Sequence, residues 1–332
     1  MPEDYLKYFE GKKILVTGGR GYLGSNLINV LKDVECKIIR VDKIETVPAL
    51  EKSKAEIKNI SGDIRIGEFW EGLLYGADII FHFAAQTSVY KADENPVEDF
   101  QINVLPMLKL LETCRRRNYK PTIIFSGTAT EIGLPIRKPV DETHPDKPIT
   151  IYDLHKLIAE NYLKFYVEQG VGKGAVLRLA NVYGPGPASS SADRGILNLM
   201  IKKALHGEDL TLYGSGENLR DYIFVEDVVR AFLIAAVNIN EINGSHFVIG
   251  TGKGFSLMDA FSLVTERIKI KTGTSVQVVS VPPPDSQTPI NSRNFVGDSN
   301  KFYQLTNWQP KYSLSEGIDR TIDFFQITSL TN

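Results

Sequence analysis

The 332-residue sequence contains few of the residues that build disulfide frameworks and metal sites. Its two cysteines, Cys36 and Cys114, each lie in a segment predicted as a helix or a strand, with no second cysteine at ligand spacing. Its five histidines are scattered along the chain rather than paired at the spacing of metal ligands. We therefore expect neither a disulfide framework nor a bound metal.

Long apolar runs and an excess of charge of one sign are also missing. No stretch approaches the roughly 18 apolar residues that a membrane span needs, and the polar N-terminus has no apolar signal-peptide core. Thirty-eight basic residues stand against forty acidic ones, so no overall positive field favours nucleic acid. We expect no membrane and no nucleic acid as partner, and a reducing cytoplasm as the default location.

The first half of the chain alternates short β-branched runs with longer amphipathic segments, which is typical of a parallel sheet covered by helices. The predicted strands are Lys13–Thr17, Lys37–Val41, Ile57–Ser61, Ile79–Phe83, Thr122–Ser126 and Ala175–Leu179. The predicted helices are Gly24–Leu31, Phe69–Leu74, Val97–Arg117 and Tyr152–Gln169. Six strands joined by helical crossovers predict a doubly wound α/β fold.

The pattern changes after about Gly184, where a loop rich in glycine, proline and serine extends to Ser191. The elements predicted beyond it are the helix Ile196–Leu205, the strand Leu210–Tyr213, the helix Asp227–Val237, the strand Ser245–Ile249, the proline loop Pro282–Pro284 and the polar stretch Asp285–Asn294. We predict a first domain over residues 1–183, to which the chain returns at about 221–250. A smaller mixed α/β lobe is predicted over 184–220 and 251–332.

A glycine-rich turn follows the first predicted strand and leads directly into a helix. Its spaced glycines are Gly18, Gly21 and Gly24. Glycines at these positions allow a sharp turn, close approach of a pyrophosphate to main-chain N–H groups, and close packing of the helix on the sheet. Asp42 ends the second strand, where a carboxylate can bond the adenosine ribose and repel a 2′-phosphate. We predict NAD rather than NADP, although Arg20 and Lys43 could offset that repulsion.

Tyr152 and Lys156 stand four residues apart at the start of a predicted helix, so both side chains share one face. An ammonium group near a phenol stabilises the phenolate and lowers the tyrosine pKa from its usual value of about 10. The pair can then act as a general base for a hydroxyl proton. Tyrosine and lysine at this spacing are common on helix surfaces. Here the pair follows a nucleotide-binding βαβ unit, which favours the catalytic interpretation.

Together these features resemble the extended short-chain dehydrogenase/reductase family, the nucleotide-sugar epimerases and dehydratases, over nearly the whole chain. The motifs that carry the resemblance are Gly18–Gly24, Gly62–Arg65, His82–Gln86, Asn103, Tyr152–Lys156, Arg178–Gly186 and Arg220–Val228. The resemblance implies a Rossmann domain that binds NAD and a lobe that binds a nucleotide-diphosphate sugar. It also implies a homodimer formed through the helices Val97–Arg117 and Tyr152–Gln169.

The resemblance implies a set of residues that bind the cofactor. They are Gly18, Gly21, Tyr22, Leu23, Gly24, Asp42, Lys43, Asp63, Ile64, Phe83, Ala84, Ala85, Gln86, Asn103, Ser126, Tyr152 and Lys156. Asp63 corresponds to the family's adenine contact, and Lys156 would also bond the nicotinamide ribose.

The resemblance likewise implies a set of substrate residues. They are Thr128, Thr130, Asn181, Asn198, Arg220 and Arg293. Thr128 falls at the family's catalytic serine or threonine, whose hydroxyl bonds the reacting sugar oxygen. Arg220 would grip the diphosphate, because a guanidinium can bind phosphate through two hydrogen bonds. Asn181 and Asn198 would hold the diphosphate and nucleotide side, and Arg293 is a weaker phosphate candidate.

The residues after Thr128 bear on the choice of reaction. The family's 4,6-dehydratases carry an Asp-Glu pair there as acid and base, whereas this sequence has Ala129 and Thr130, as 4-epimerases do. The resemblance therefore implies an epimerase in which Tyr152 removes the proton of a sugar hydroxyl, favoured at C4, while a hydride passes to NAD and returns to the opposite face. Glu131 and Ile132 replace the family's Val-Tyr, and Glu131 either points to solvent or shapes the sugar pocket.

Several alternatives stay open. A keto-sugar reductase uses the same tyrosine, lysine and threonine, a 4,6-dehydratase belongs to the same family, and inversion could occur at C2. A non-catalytic dinucleotide-binding protein would keep the glycines but has no need of Thr128, Tyr152 and Lys156 together. Synthesis of polysaccharide precursors is an expectation at the level of the family.

Overall fold

A computed structural model describes residues 3–43, 53–187, 195–283, 290 and 293–330. The strands in those ranges are β1 (Lys13–Thr17), β2 (Lys37–Asp42), β3 (Glu56–Ser61), β4 (Ile79–His82), β5 (Thr122–Thr128), β6 (Lys173–Leu179), β7 (Asn181–Tyr183), β8 (Leu210–Tyr213), β9 (Leu219–Phe224), β10 (His246–Ile249), β11 (Gly254–Ser256) and β12 (Val278–Val281). The α-helices are α1 (Tyr22–Leu31), α2 (Gly67–Leu74), α3 (Val89–Glu94), α4 (Pro96–Asn103), α5 (Leu105–Arg117), α6 (Ile151–Glu168), α7 (Ile196–Leu205), α8 (Val225–Val237), α9 (Ile239–Ile242), α10 (Leu257–Thr272), α11 (Asn300–Thr306) and α12 (Leu314–Leu330).

Seven parallel strands form the main sheet in the order β10-β6-β5-β4-β1-β2-β3. This is the doubly wound Rossmann order, extended by β10 at one edge. The predicted fold class is confirmed. The six strands predicted for the first half all form, with bounds within two residues of the prediction.

Helices cover both faces of the main sheet because successive strand residues point to opposite sides. Ile14 and Val16 of β1 pack in one apolar cluster with α1 and α8, whereas Leu15 packs in a second cluster with α5 and α6. Helix α1 buries Gly24, Leu27, Ile28 and Leu31, the spacing of one helical face.

The later part of the chain builds a second, smaller layer. Strand β9 pairs with β7 and β11, β8 pairs with β12, and α7, α10 and α12 contribute to a third apolar cluster. The division of the chain into domains stays a prediction. Phe302 and Trp308, from the region assigned to the smaller lobe, lie in the same cluster as Phe247 of β10.

The predicted helix Val97–Arg117 is wrong as one element, because it forms two helices, α4 and α5. Pro106 lies in the first turn of α5 and has no N–H with which to continue the hydrogen bonds of α4. The predicted loop Ser189–Ser191, Pro284 and most of the stretch Asp285–Asn294 lie outside the described residues.

Candidate active site

The candidate residues gather at one edge of the main sheet because parallel strands all end on the same side. The glycine turn follows β1, Asp42 ends β2, and Asp63 follows β3. The loop Phe83–Gln86 follows β4, and Thr128 ends β5. Carboxyl ends of the strands are where open α/β sheets bind ligands.

The turn after β1 accepts only glycine at two of its positions. A Cβ atom on Gly18, whose φ is +64°, would lie 2.7 Å from the main-chain nitrogen of Ala84. A Cβ on Gly24 would lie 2.4 Å from the carbonyl oxygen of Gly18. Helix α1 begins after Gly21 without a side-chain cap, which suits its N-terminus to a pyrophosphate. The turn therefore fits a dinucleotide.

Two acidic residues lie beyond the turn. Asp42 accepts hydrogen bonds from the N–H groups of Arg20, at 2.9 Å, and Lys43, at 2.8 Å. Asp63 accepts a 2.7 Å bond from Nε of Arg65, which is the main reason that the pKa of Asp63 falls to about 2. Asp42 is thus held at the end of β2, where an adenosine ribose is expected, and the adenine role of Asp63 stays a prediction.

Asn103 holds the loop that follows β4. Its Oδ1 accepts from the N–H of Gln86 at 3.1 Å, and its Nδ2 donates to the carbonyl of Gln86 at 3.0 Å. Asp99 accepts from Asn103 and lies 2.7 Å from Nδ1 of His155 on α6. The other predicted cofactor residues of this region, Ile64, Phe83, Ala84, Ala85 and Ser126, are buried or half-buried along the same edge.

Tyr152 and Lys156 lie in the first two turns of α6, and both are buried. Thr150 caps this helix by accepting a 3.1 Å hydrogen bond from the N–H of Asp153. The Lys156 ammonium stands 4.0 Å from the centre of the Phe125 ring on β5, a cation–π contact. Strand β5 and helix α6 therefore hold the lysine charge at the edge where β5 ends.

The hydroxyl of Thr128 belongs to a chain of side chains that reaches the later half of the sequence. The Oγ1 atoms of Thr128 and Thr130 are 2.9 Å apart, and Thr130 donates to Oδ1 of Asp153. Oδ2 of Asp153 accepts from Arg293 Nη2 at 3.1 Å, and Arg220 donates to the carbonyl oxygen of Arg293. The structure thus brings together four of the six predicted substrate residues, and it adds Asp153.

The sequence also matches the model of a known protein family. The model of the NAD dependent epimerase/dehydratase family matches residues 14–250. The chain belongs to this family. A putative UDP-glucose 4-epimerase from Methanocaldococcus jannaschii is 32% identical over 320 residues, which cover 96% of this chain and 100% of that protein.

Solved structures agree. A UDP-glucose 4-epimerase from Thermotoga maritima with UDP-glucose superposes with a TM-score of 0.84 at 32% identity, covering 96% of this chain and 99% of that one. The Thermus thermophilus UDP-glucose 4-epimerase complex with NAD has a TM-score of 0.81 at 29% identity, covering 95% and 99%. The family and the cofactor NAD, both predicted, are confirmed.

Glu131 is an unusual residue of this epimerase/dehydratase, and the alternative in which it points to solvent is wrong. Its side chain is fully buried. Oε1 accepts from the N–H of Thr128 at 2.9 Å, and Oε2 lies 3.1 Å from Nε of Arg178. Thr128 and Glu131 form a capping box for the short 3-10 turn Ala129–Ile132. Glu131 therefore supports the residue that ends β5.

Two of the remaining predicted ligand residues, Asn198 and Tyr22, bind the protein's own backbone. Asn198 of α7 accepts from the N–H of Gly184 at 3.0 Å and donates to its carbonyl at 2.9 Å. Tyr22 donates to the same carbonyl at 2.9 Å. Asn181 is exposed on β7, and Leu23 is half-buried beside the first cluster. Their roles toward the ligands stay predictions.

The described residues bear on two further expectations. None of the helices within them is both long and apolar enough to span a bilayer. The same ranges contain no group of three or more histidine, cysteine, aspartate or glutamate side chains arranged to hold a metal ion.

Proposed function

We propose that this chain is an NAD-dependent nucleotide-sugar epimerase that inverts C4 of the sugar. The observation that carries the proposal is the surroundings of Thr128. Ala129 packs in an apolar cluster with Ile132 and Val140, so no acid stands there for the elimination of water. Thr130 is bonded to Thr128 and Asp153. The two positions where the dehydratases carry an acid and a base therefore hold no ionisable group.

Each side chain has a defined task in this reaction. NAD, when bound, supplies a hydride acceptor that can give the hydride back. Tyr152 takes the proton of the sugar hydroxyl and later returns it, while the Lys156 ammonium holds the phenolate. Thr128 bonds the reacting oxygen. Arg220 and Arg293 hold the diphosphate, which does not react, so that the sugar ring can turn while the substrate stays bound.

UDP-glucose is the first substrate to test, because the relatives and solved structures described above are named as UDP-glucose 4-epimerases. The experiment is proton NMR in D₂O with UDP-, TDP-, CDP- and GDP-sugars and no added reductant. A new stereoisomer without carbon-bound deuterium supports epimerisation and identifies the inverted carbon. A 4-keto-6-deoxy product deuterated at C5 supports dehydration instead. If none of these sugars is converted, a second incubation adds NADH and a nucleotide-diphosphate keto sugar, and consumption of NADH there supports a reductase.

The matched variants for this experiment are two tyrosine replacements. Tyr152→Phe removes the proposed base and should abolish turnover while NAD stays bound. Tyr213→Phe removes the same hydroxyl from an exposed tyrosine of β8 and should leave turnover unchanged. Activity retained by Tyr152→Phe contradicts the assignment.

We also propose a homodimer in the cytoplasm that serves the synthesis of polysaccharide precursors. Support for the dimer comes from large apolar side chains exposed on adjacent helices. They are Val97 and Phe100 of α4 and Leu154 and Phe165 of α6. Light scattering should give twice the chain mass for the wild type, and Phe165→Glu, which charges a side chain that is 57% exposed, should give a monomer.

A further inference from the structure

Asp153 lies between Tyr152 and Lys156 in the sequence, but its side chain bonds other residues. It is fully buried, with one carboxylate oxygen accepting from the Thr130 hydroxyl and the other 3.1 Å from Nη2 of Arg293. Burying a carboxylate is costly unless the group is both paired and hydrogen-bonded. Asp153 meets both conditions through residues from two distant parts of the chain.

The protons that these side chains carry determine which group donates in each hydrogen bond of the cluster. The guanidinium of Arg293 has donors only, so the Asp153 oxygen that faces it accepts. Thr130 has one hydroxyl proton and donates it to Asp153. In the 2.9 Å contact between the two threonine hydroxyls, Thr128 is then the donor while no substrate is bound. The Thr130 proton stays in the hydrogen bond to Asp153, so the proton that can turn to a bound sugar oxygen is that of Thr128.

The other end of the cluster reaches the predicted diphosphate contacts. Arg293 is buried, and its carbonyl oxygen accepts a hydrogen bond from Nη1 of Arg220. One continuous set of contacts therefore leads from Arg220 to Arg293, Asp153, Thr130 and Thr128. It connects the group expected to grip the diphosphate with the group expected at the reacting oxygen.

We propose that Asp153 is a positioning residue that couples diphosphate binding at Arg220 and Arg293 to the placement of the Thr128 hydroxyl. The inference rests on the proposed function, since it requires a reacting sugar oxygen beside Thr128. Binding energy from the part of the substrate that does not react is then used at the reacting atom. Loss of Asp153 or Thr130 should therefore lower kcat far more than it raises KM.

The test uses Asp153→Asn, Thr130→Val, their double variant and Thr130→Ser, with kcat and KM measured for UDP-glucose. We expect the asparagine and valine variants each to lose about 10- to 100-fold in kcat, with KM within about threefold of the wild type. The double variant should lose no more than the worse single variant, because both cut the same chain of contacts. The serine variant keeps the hydroxyl and should recover kcat to within about threefold.

Thr113→Val is the matched control, because it also removes a buried threonine hydroxyl, one of α5 that donates to the carbonyl of Lys109. The kcat of this variant should equal that of the wild type. Losses of kcat that multiply in the double variant overturn the coupling. A wild-type kcat in Thr130→Val also overturns the coupling. This variant is sufficient for the test if Asp153→Asn fails to fold.

The two proposals can fail separately. A wild type that converts none of the sugars contradicts the proposed function. The contact between Asp153 and Thr130 is then tested by denaturation alone. Each variant shifts the midpoint of the denaturation curve. If the two single-variant shifts add up to more than the shift of the double variant, the two side chains act together. Additive shifts overturn the inference without any measurement of turnover.

Discussion

Glu131 and Arg178 meet inside the protein, with 3.1 Å between Oε2 and Nε and with both side chains at most 1% exposed. The same guanidinium binds Glu160 through bonds of 2.9 and 2.7 Å and also pairs with Asp146. Burial would raise the pKa of Glu160, but hydrogen bonds and the charge of Arg178 outweigh it and lower that pKa to about 2. Burial, and then the Glu160 charge, raise the pKa of Glu131 well above its usual range. Of these two glutamates, Glu131 is therefore the one whose charged form its surroundings disfavour.

Replacing Glu131 by glutamine should consequently preserve stability. Glutamine keeps the shape of the side chain, carries no charge and retains an oxygen to accept from the N–H of Thr128, so we expect the stability of Glu131→Gln to lie within about 1 kcal/mol of the wild type. Glu131→Ala leaves that N–H unpaired beside a cavity and should lose about 2–4 kcal/mol. Guanidinium unfolding at pH 7.5 measures both. Equal losses in the two variants would mean that a charged Glu131 is required.

His246 should make stability depend on pH. Burial, and then the charge of Arg178, lower its pKa to about 4 from 6.5, and Lys164 Nζ lies 2.6 Å from its Nδ1. Between pH 6.5 and 4 the unfolded chain therefore binds a proton here that the folded chain does not, so acidification removes up to about 3 kcal/mol of stability across that window.

The variant His246→Gln tests this by urea unfolding at several pH values. It should lose less stability than the wild type between pH 6.5 and 4. His206→Gln, at an exposed histidine after α7, should follow the wild-type pH profile. Parallel profiles for His246→Gln and the wild type would show that this histidine is not the cause.

Asp42 should set the preference for NAD. Its carboxylate accepts from the N–H of Arg20, and Arg40, whose pKa is lowered by burial and then by the charge of Arg20, lies close by. Asp42→Ser leaves two guanidinium groups without the carboxylate that repels a 2′-phosphate. We expect NADPH binding to improve about 10- to 100-fold relative to NADH, measured by fluorescence titration. Asp33→Ser, at an exposed aspartate beyond α1, makes the same charge change and should leave the ratio unaltered.

Local patterns were sufficient to predict the strands, the glycine turn and the tyrosine–lysine pair. Each depends on residues close in sequence, as in the run from β1 through Gly18 into α1. The support of Thr128 was not predictable in that way, because Asp153 and Arg293 stand 140 residues apart. One signal was present, an acidic residue inside the motif Tyr152–Lys156, next to the proposed base. Its partner could be found only from the fold.

Trp308 provides a test of how the chain divides into domains. It is fully buried, its Nε1 donates to the carbonyl of Asp227 on α8 at 3.1 Å, and its ring lies 5.6 Å from that of Phe302. Trp308→Ala should therefore cost about 3–5 kcal/mol and destabilise the main sheet. Trp70 of α2, the other of the two tryptophans, then remains as a fluorescent reporter buried in the second cluster on that sheet.

The Trp70 transition in the Trp308→Ala variant should move to lower guanidinium concentration, because α11 and the segment that follows it pack with β10 and α8. Tyr303→Ala, at a half-exposed residue of α11, should shift the midpoint by about 0.5 kcal/mol or less. If residues 251–332 formed a lobe that unfolds independently, Trp70 would report the wild-type midpoint in Trp308→Ala. A shifted midpoint assigns the segment 300–308 to the NAD-binding domain, which restricts the substrate lobe to the layer built from β7, β8, β9, β11, β12, α7, α10 and α12.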